Sequence, residues 1–152
     1  MANYKWGVIL SIALLFSLIV INDQLYGNVM NLSMPIMLLV LHVLIFKYLV
    51  PEKRYIAYSG FLLVLAAAIY FSFPALTQQQ AQYKAVGRYN LEQVEATTVP
   101  IDSTNSWNPF KLHHAYFFYG ISRTAGEIFL LVNAENGKVI LSEPYEEVDE
   151  ES

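Results

Sequence analysis

Three long apolar stretches in the first half of the chain constrain its fold more than any other feature. They cover about 6–22, 34–50 and 56–73, and none of them contains an acidic side chain. Crossing a hydrocarbon core of about 30 Å takes roughly 20 predominantly apolar residues in a helix. The sequence therefore predicts three transmembrane helices, which form a membrane anchor over 1–73.

The composition changes after residue 73. The whole chain is 55% hydrophobic and 14% charged, whereas soluble domains carry about 25% charged residues. Residues 74–145 have the composition of a small water-exposed module, and the acidic run at 146–152 predicts a solvated, disordered tail. A formal net charge of -4 argues against a nucleic-acid partner.

The chain contains no cysteine, which excludes disulfides, thiolate metal sites and a cysteine nucleophile. Small extracellular modules of animal proteins commonly depend on disulfides. This composition favours a bacterial cell envelope, and we expect a multi-pass protein of the plasma membrane with the lipid bilayer as its surroundings.

Basic residues predict the orientation of the helices. Lys5 precedes the first stretch, and Lys47, Lys53 and Arg54 cluster around the connection between the second and third, whereas 22–33 hold no Lys or Arg. Short loops rich in Lys and Arg stay in the cytoplasm. We therefore expect a cytoplasmic N-terminus and an extracytoplasmic C-terminal module. Aromatic residues mark the same boundaries, with Tyr4, Trp6, Tyr48, Tyr55 and Tyr58 on the inner side and Tyr26 and Tyr70 on the outer side.

The first stretch also fits a signal peptide, because a short basic start precedes its apolar run. Residues 19–23 lack the small-x-small pattern of a cleavage site. We favour an uncleaved anchor, and either alternative leaves the second and third helices in the same orientation.

His42 is the ionisable side chain nearest the middle of a predicted transmembrane helix. Such residues are rare in lipid, usually face the bundle interior and are functional candidates by default. One hypothesis is that His42 senses protons or a ligand, since imidazole changes charge between about pH 5 and 8. The alternative is a neutral imidazole hydrogen-bonded to a neighbouring helix, where Ser11 and Ser17 lie at a similar depth.

Small and capping residues predict how these helices begin and pack. Ser33 is the expected N-cap of the second helix, with Pro35 in its first turn. Ser59–Gly60 and Ala66–Ala68 in the third stretch are expected to allow close helix packing, as small residues do in membrane bundles.

The outer module is predicted to be an α+β fold. Pro74 ends or kinks the third helix, and 77–86 favour a helix that Gly87 stops. The pattern of 89–99 is mixed and favours a strand over a short helix. A loop over 103–113 carries two large apolar side chains, Trp107 and Phe110. Either they cover the edge of the core, or they contact the membrane or a partner protein.

An antiparallel β meander is predicted to follow this loop. Residues 115–123 and 127–134 are rich in aromatic and branched side chains, with a Gly-containing turn between them. An Asn-Gly turn at 135–138 then leads into a last strand at 139–142.

The middle strand of this meander is apolar on both faces. Alternation places Ile128, Leu130 and Val132 on one face and Phe129 and Leu131 on the other. The helix can cover only one face. Phe129 and Leu131 are therefore candidate contacts with the loop, a membrane or a partner protein.

An aromatic strand, a short turn and then the segment Phe129–Ile140, together about 115–142, resemble the closing hairpin of PepSY-type domains. That family often ends in a strand with Asp-Ala, a turn residue and Gly-Lys-Val. Asn133 stands where that family commonly has Asp. The resemblance covers about 30 residues. It implies an extracytoplasmic binding or inhibitory module, and the family has no catalytic residues to carry over.

The chain lacks the motifs of the common enzyme classes. It has no G-x-S-x-G, no HExxH, no phosphate loop and no dinucleotide fingerprint. Adjacent side chains of a strand point to opposite faces, so His113 and His114 would not share one ion. We therefore expect no catalytic, cofactor-binding or metal-binding residues.

Three functions follow from these features. The first is an accessory or regulatory membrane protein whose module recognises a peptide, an envelope component or a partner membrane protein, with immunity against a membrane-active peptide as a special case. The second is a structural envelope protein. The third is a transport unit that uses His42 and assembles as a homo-oligomer, because so few polar residues would not line a water-filled path within one copy.

Overall fold

The computed structural model describes residues 4–101, 108–122 and 126–142. Three apolar helices are followed by a fourth, polar helix and then by a four-stranded sheet. The helices are α1 (Tyr4–Tyr26), α2 (Ser33–Leu49), α3 (Tyr55–Ser72) and α4 (Gln78–Tyr89), and the strands are β1 (Leu91–Pro100), β2 (His114–Ser122), β3 (Gly126–Val132) and β4 (Val139–Ser142).

Two of these helices are long and apolar enough to cross a membrane. They are α1, with 23 residues and a mean hydropathy of 2.1, and α3, with 18 residues and a mean hydropathy of 1.8. The third predicted span, α2, is an apolar helix of 17 residues. In α1 and α3 only 17% of the apolar segment is buried within the protein. Most of the apolar surface of both helices therefore faces outward.

Gly7 lets α1 approach α2 closely. A Cβ atom at this position would lie 2.7 Å from Cγ of Phe46 and 2.9 Å from its Cβ. The small residues expected to serve this purpose behave differently: Ala68 is buried, whereas Ser59 and Gly60 are exposed, and a Cβ atom at Gly60 would meet nothing within 4 Å. Within the chain, the close approach lies between the start of α1 and the end of α2.

Replacing Gly7 with alanine is expected to destabilise the helix bundle by about 1–3 kcal/mol, because the added methyl group forces Phe46 and its backbone to move. The matched change Gly60→Ala fills open space in a helix and should leave stability unchanged or raise it by up to about 1 kcal/mol. Both can be measured by denaturant unfolding in mixed micelles. Equal effects of the two substitutions would contradict the packing described for Gly7.

The prediction that Ser33 caps α2 is wrong. Leu32 occupies the N-cap position and makes no side-chain capping bond. Instead, Oδ1 of Asn31 accepts a hydrogen bond from the Ser33 backbone N–H at 3.1 Å. Pro35 lies in the first turn as expected and is buried. The carboxamide of Asn31, two residues before Ser33, therefore satisfies a donor at the start of the helix.

Helix α4 begins where the sequence predicts but ends later than expected. Thr77 forms a capping box with Gln80, which satisfies backbone N–H groups at the start of the helix. The helix continues through Gly87 to Tyr89 and ends where Asn90 adopts a left-handed conformation with φ of 48°. The prediction that Gly87 stops the helix is wrong, because asparagine supplies the left-handed residue that glycine commonly provides.

The four strands form one antiparallel sheet in the order β1-β2-β3-β4, which confirms the predicted meander. The pairing of β1 with β2 is irregular between Glu92 and Glu95, where Gln93 has a φ of 52°. One face of the sheet packs against α4, and the core of the module lies between them. This core contains Ala81 and Ala85 from the helix and Tyr116, Phe118, Ile128, Leu130 and Val132 from the sheet.

The turn between β3 and β4 spans the six residues 133–138, so it begins two residues earlier than the predicted turn at 135–138. The backbone N–H of Gly137 donates to the Asn133 carbonyl oxygen at 2.8 Å, and the Asn133 N–H donates to the Lys138 carbonyl at 3.0 Å. Oδ1 of Asn133 accepts hydrogen bonds from Glu135 and Asn136. Asn133 therefore organises the turn through its side-chain oxygen, which an aspartate could also provide.

The outer module packs directly on the ends of the apolar helices. Val29, in the connection between α1 and α2, is 1% exposed and belongs to the module core. The Asn31 side chain donates to the carbonyl oxygens of Pro109 and Lys111 at 3.1 and 3.0 Å. Helices and module therefore share one continuous set of contacts.

A second connection follows α3. The Tyr116 hydroxyl donates to the Leu76 carbonyl oxygen at 3.1 Å, and the Leu76 N–H donates to the Ala134 carbonyl at 3.1 Å. Burial, and then the neighbouring Tyr26 phenol, raise the pKa of Tyr116 well above its usual range. The hydroxyl therefore stays protonated and remains a donor. These bonds hold the segment after Pro74 against the β3–β4 turn.

Some predicted features lie outside the described residues. They are Trp107 with the first part of its loop, Thr124 and Ala125 of the turn before β3, and the acidic tail at 146–152.

Candidate functional site

His42 joins all three apolar helices through hydrogen bonds. Its Nδ1 lies 2.8 Å from the Ser11 hydroxyl on α1, and its Nε2 lies 2.9 Å from the Tyr58 hydroxyl on α3. The side chain is fully buried. We call Ser11, His42 and Tyr58 the His42 cluster.

Aromatic rings surround this imidazole. Phe61 of α3 stacks on it with ring centroids 6.1 Å apart, and Phe46 of α2 meets it edge-on at 5.9 Å. Phe46 also packs against the Tyr58 ring at 5.8 Å. The polar atoms of the cluster are therefore enclosed by apolar groups, where an unpaired polar group would be costly.

A neutral imidazole satisfies every bond in the His42 cluster. It carries one N–H donor and one acceptor nitrogen, so one hydroxyl accepts a hydrogen bond from the ring and the other donates a hydrogen bond to it. Among the described residues no buried side-chain nitrogen or oxygen lacks a partner. The arrangement is suited to holding three helices together in a medium that offers no competing water.

The partners of His42 were only partly foreseen. Ser11 makes the expected contact, whereas the Ser17 hydroxyl turns back to the Ala13 carbonyl on its own helix. Tyr58 was expected to mark the inner membrane interface, yet its hydroxyl reaches His42. Tyr58 lies one turn into α3, close to the short connection after α2, and that placement is the sequence signal that could have identified it.

The second candidate site is the face of the sheet opposite α4, which we call the far face. Strand register defines its rows: Glu95 pairs with Tyr119, and Tyr119 pairs with Phe129. The next row contains Thr97, Phe117, Leu131 and Ile140, and a third contains Glu92, Ile121 and Glu127.

The far face is apolar in its centre and partly exposed. Phe129 and Leu131 are half-buried, while Ile121 is 43% exposed and Ile140 is 44% exposed. The Phe129 ring stacks on Tyr119 at 5.1 Å and packs against Phe117 at 6.0 Å. The two predicted contact residues of β3 therefore lie side by side on a surface that α4 does not cover.

Two carboxylates lie at the edge of this aromatic stack. The pKa of Tyr119 is raised first by desolvation. Glu127 raises it further through its negative charge and a side-chain hydrogen bond, and the charge of Glu95 adds to the effect. Both glutamates are exposed. A third acid, Glu92, pairs with Ile121 at the end of the far face, and the described strand residues of this face include no basic side chain.

The remaining candidates lie elsewhere. Phe110 is half-buried and packs against Phe71 of α3 at 6.0 Å, so it contacts the helix bundle. His113 and His114 lie beside the α1–α2 connection, where they line a shallow groove with Asn31 and Ser33. Among the described residues, no three His, Asp or Glu side chains are grouped to hold a metal ion.

Comparison of the chain with models of known protein families gave no match, and comparisons with curated proteins and with solved structures found no significant similarity.

Proposed function

We propose that this protein is a non-enzymatic accessory or regulatory protein of the plasma membrane, anchored by three transmembrane helices. Its outer module would recognise a peptide, an envelope component or a partner membrane protein. The observation that carries the proposal is the far face, a partly exposed aromatic and apolar surface held on the ends of an apolar helix bundle.

The helix bundle supports the membrane part of the proposal. All three apolar helices expose large apolar side chains, including Phe16 on α1, Val40 on α2 and Leu63 on α3. Contiguous apolar surface of this extent is unusual on a soluble monomer. A helix of 17 residues is about 26 Å long and lies within the range that spans a bilayer. We therefore count α2 as the third span.

The His42 cluster supports a positioning role for the bundle. Its hydrogen bonds are satisfied within one copy of the chain, and they link α1, α2 and α3 at one level. In this proposal the bundle fixes the outer module at the membrane surface, and recognition takes place on the module. The PepSY-type resemblance of the β3–β4 hairpin is consistent with such a binding role and stays a prediction.

Cysteine labelling tests the proposed topology cleanly, because the chain has no cysteine of its own. Exposed positions are available at Gln24 in the last turn of α1, at Glu52 between α2 and α3, and at Tyr83 on α4. We expect Gln24→Cys and Tyr83→Cys to react with a membrane-impermeant maleimide in intact cells. Glu52→Cys should react only after permeabilisation. Labelling of positions 24 and 52 from the same side would show that α2 does not span.

Recognition is tested separately by purification from native membranes. A tagged full-length chain is expected to retain a stoichiometric partner in mild detergent, and substitutions on the far face should release it. A chain that purifies as a clean monomer or homo-oligomer would contradict the accessory role.

A further inference from the structure

The far face carries a charge pattern that selects among possible partners. Glu95, Tyr119 and Phe129 lie side by side on three adjacent strands, since each pairs directly with the next. Directly opposed residues of an antiparallel pair have Cβ atoms about 5 Å apart. A carboxylate, a phenol and a phenyl ring therefore form one short row, and Glu127 lies in the adjacent row on β3.

This row has the composition of a site for a basic side chain. A guanidinium or ammonium group is attracted to the face of an aromatic ring, and a guanidinium also bonds a carboxylate through its planar fork. The Tyr119–Phe129 stack supplies the rings, and Glu95 and Glu127 supply the carboxylates on either side. Covering this row with a purely apolar surface would remove two carboxylates from water without compensation.

The neighbouring row has a different character. Leu131 and Ile140 are paired across β3 and β4, two residues further along the strands. A fully extended segment repeats its side chains on one face about every 7 Å, which matches the spacing between these rows. An extended segment lying along the far face would therefore place one side chain on the acidic aromatic row and the next on the apolar row.

We propose that the far face binds an extended peptide segment of a partner protein in which an arginine or lysine is separated by one residue from a large apolar side chain. The basic group lies over Tyr119 between Glu95 and Glu127, and the apolar group packs on Leu131 and Ile140. This inference rests on the proposed recognition function and specifies the chemistry of the partner.

The test uses the full-length chain in an uncharged detergent, so that no anionic lipid attracts the probe. The probe is a fluorescently labelled synthetic peptide of about ten residues with arginine and leucine at alternating outward positions. Matched peptides replace every arginine with glutamate or every leucine with serine. Fluorescence anisotropy is expected to show binding of the first peptide and markedly weaker binding of both controls, with affinity that falls as salt increases.

Substitutions distinguish the far face from other acidic parts of the chain. Glu95→Gln and Glu127→Gln are each expected to weaken peptide binding about three- to fivefold, as loss of one partly exposed ion pair does. Glu52→Gln removes an exposed carboxylate between α2 and α3 and should leave the affinity unchanged. Affinity that is insensitive to Glu95 and Glu127, or equally sensitive to Glu52, overturns the inference.

Failure of this proposal is distinguishable from failure of the recognition function. If the arginine peptide binds no better than the glutamate peptide, the partner chemistry is wrong. Co-purification of a stoichiometric partner that far-face substitutions release would then still support recognition by the module.

Discussion

Replacing His42 with alanine is expected to lower the free energy of unfolding of the helix bundle by about 2–4 kcal/mol. The substitution removes a fully buried side chain together with its bonds to Ser11 and Tyr58. Interhelical hydrogen bonds in membranes contribute about 0.6 kcal/mol on average, and at most about 1.7. The cavity left among Phe46, Phe61 and Tyr58 supplies the remainder, because its lining loses packing contacts.

Denaturant unfolding in mixed micelles, followed by circular dichroism, measures this change. Ser17→Ala is the matched control, because the Ser17 hydroxyl bonds only its own helix, and its effect should stay within about 0.5 kcal/mol. Ser11→Ala and Tyr58→Phe should each lower the free energy of unfolding by part of the amount that His42→Ala does. Their effects should be much smaller when His42 is already replaced, since the three side chains act together. A His42→Ala protein as stable as the Ser17→Ala control would contradict a cohesive role for the cluster.

Replacing Phe118 with alanine is expected to destabilise the outer module by about 3–5 kcal/mol, the usual cost of deleting a buried phenyl ring. Phe118 is fully buried between the sheet and α4, and it packs against Tyr116 with ring centroids 6.3 Å apart. Most small domains have little more stability than this to lose. The module should therefore open while the apolar helices remain in the membrane.

Limited proteolysis of membrane-embedded protein is a suitable measurement, because an opened module is cut while the helices are protected. Leu141→Ala on β4 serves as the control, since that side chain is 60% exposed, and its effect should be within about 0.5 kcal/mol. Val29→Ala should resemble Phe118→Ala with a smaller effect of about 1–3 kcal/mol. Resistance of the Phe118→Ala module to proteolysis at the wild-type level would contradict the core described here.

Local sequence signals predicted the elements of this fold well. The apolar runs locate α1, α2 and α3 because helix formation in an apolar segment depends on the segment itself. The turn residues at 135–138 locate the β3–β4 hairpin for the same reason. The prediction that Gly87 ends α4 failed because a glycine inside a helix costs only about 1 kcal/mol. The packing of Ala85 and Val86 on the module core can offset that cost.

Contacts between distant parts of the chain were not predictable from local signals. No local signal distinguishes Gly7 from other glycines, because its role depends on contact with Phe46 of a different helix. Tyr58 fits an interfacial anchor equally well until the pairing of α2 with α3 brings it to His42. The far face was foreseen only through Phe129 and Leu131, because the strand register that adds Glu95 depends on the bulge in β1.

The placement of Val29 has a consequence for how the protein reaches its native state. The core of the outer module is complete only when the α1–α2 connection contributes this side chain and Asn31 bonds the segment before β2. Residues 74–142 therefore do not contain all of their own core. The α1–α2 connection must therefore meet the sheet before the sheet is fully packed, so correct pairing of the first two helices is a precondition for folding of the last strands.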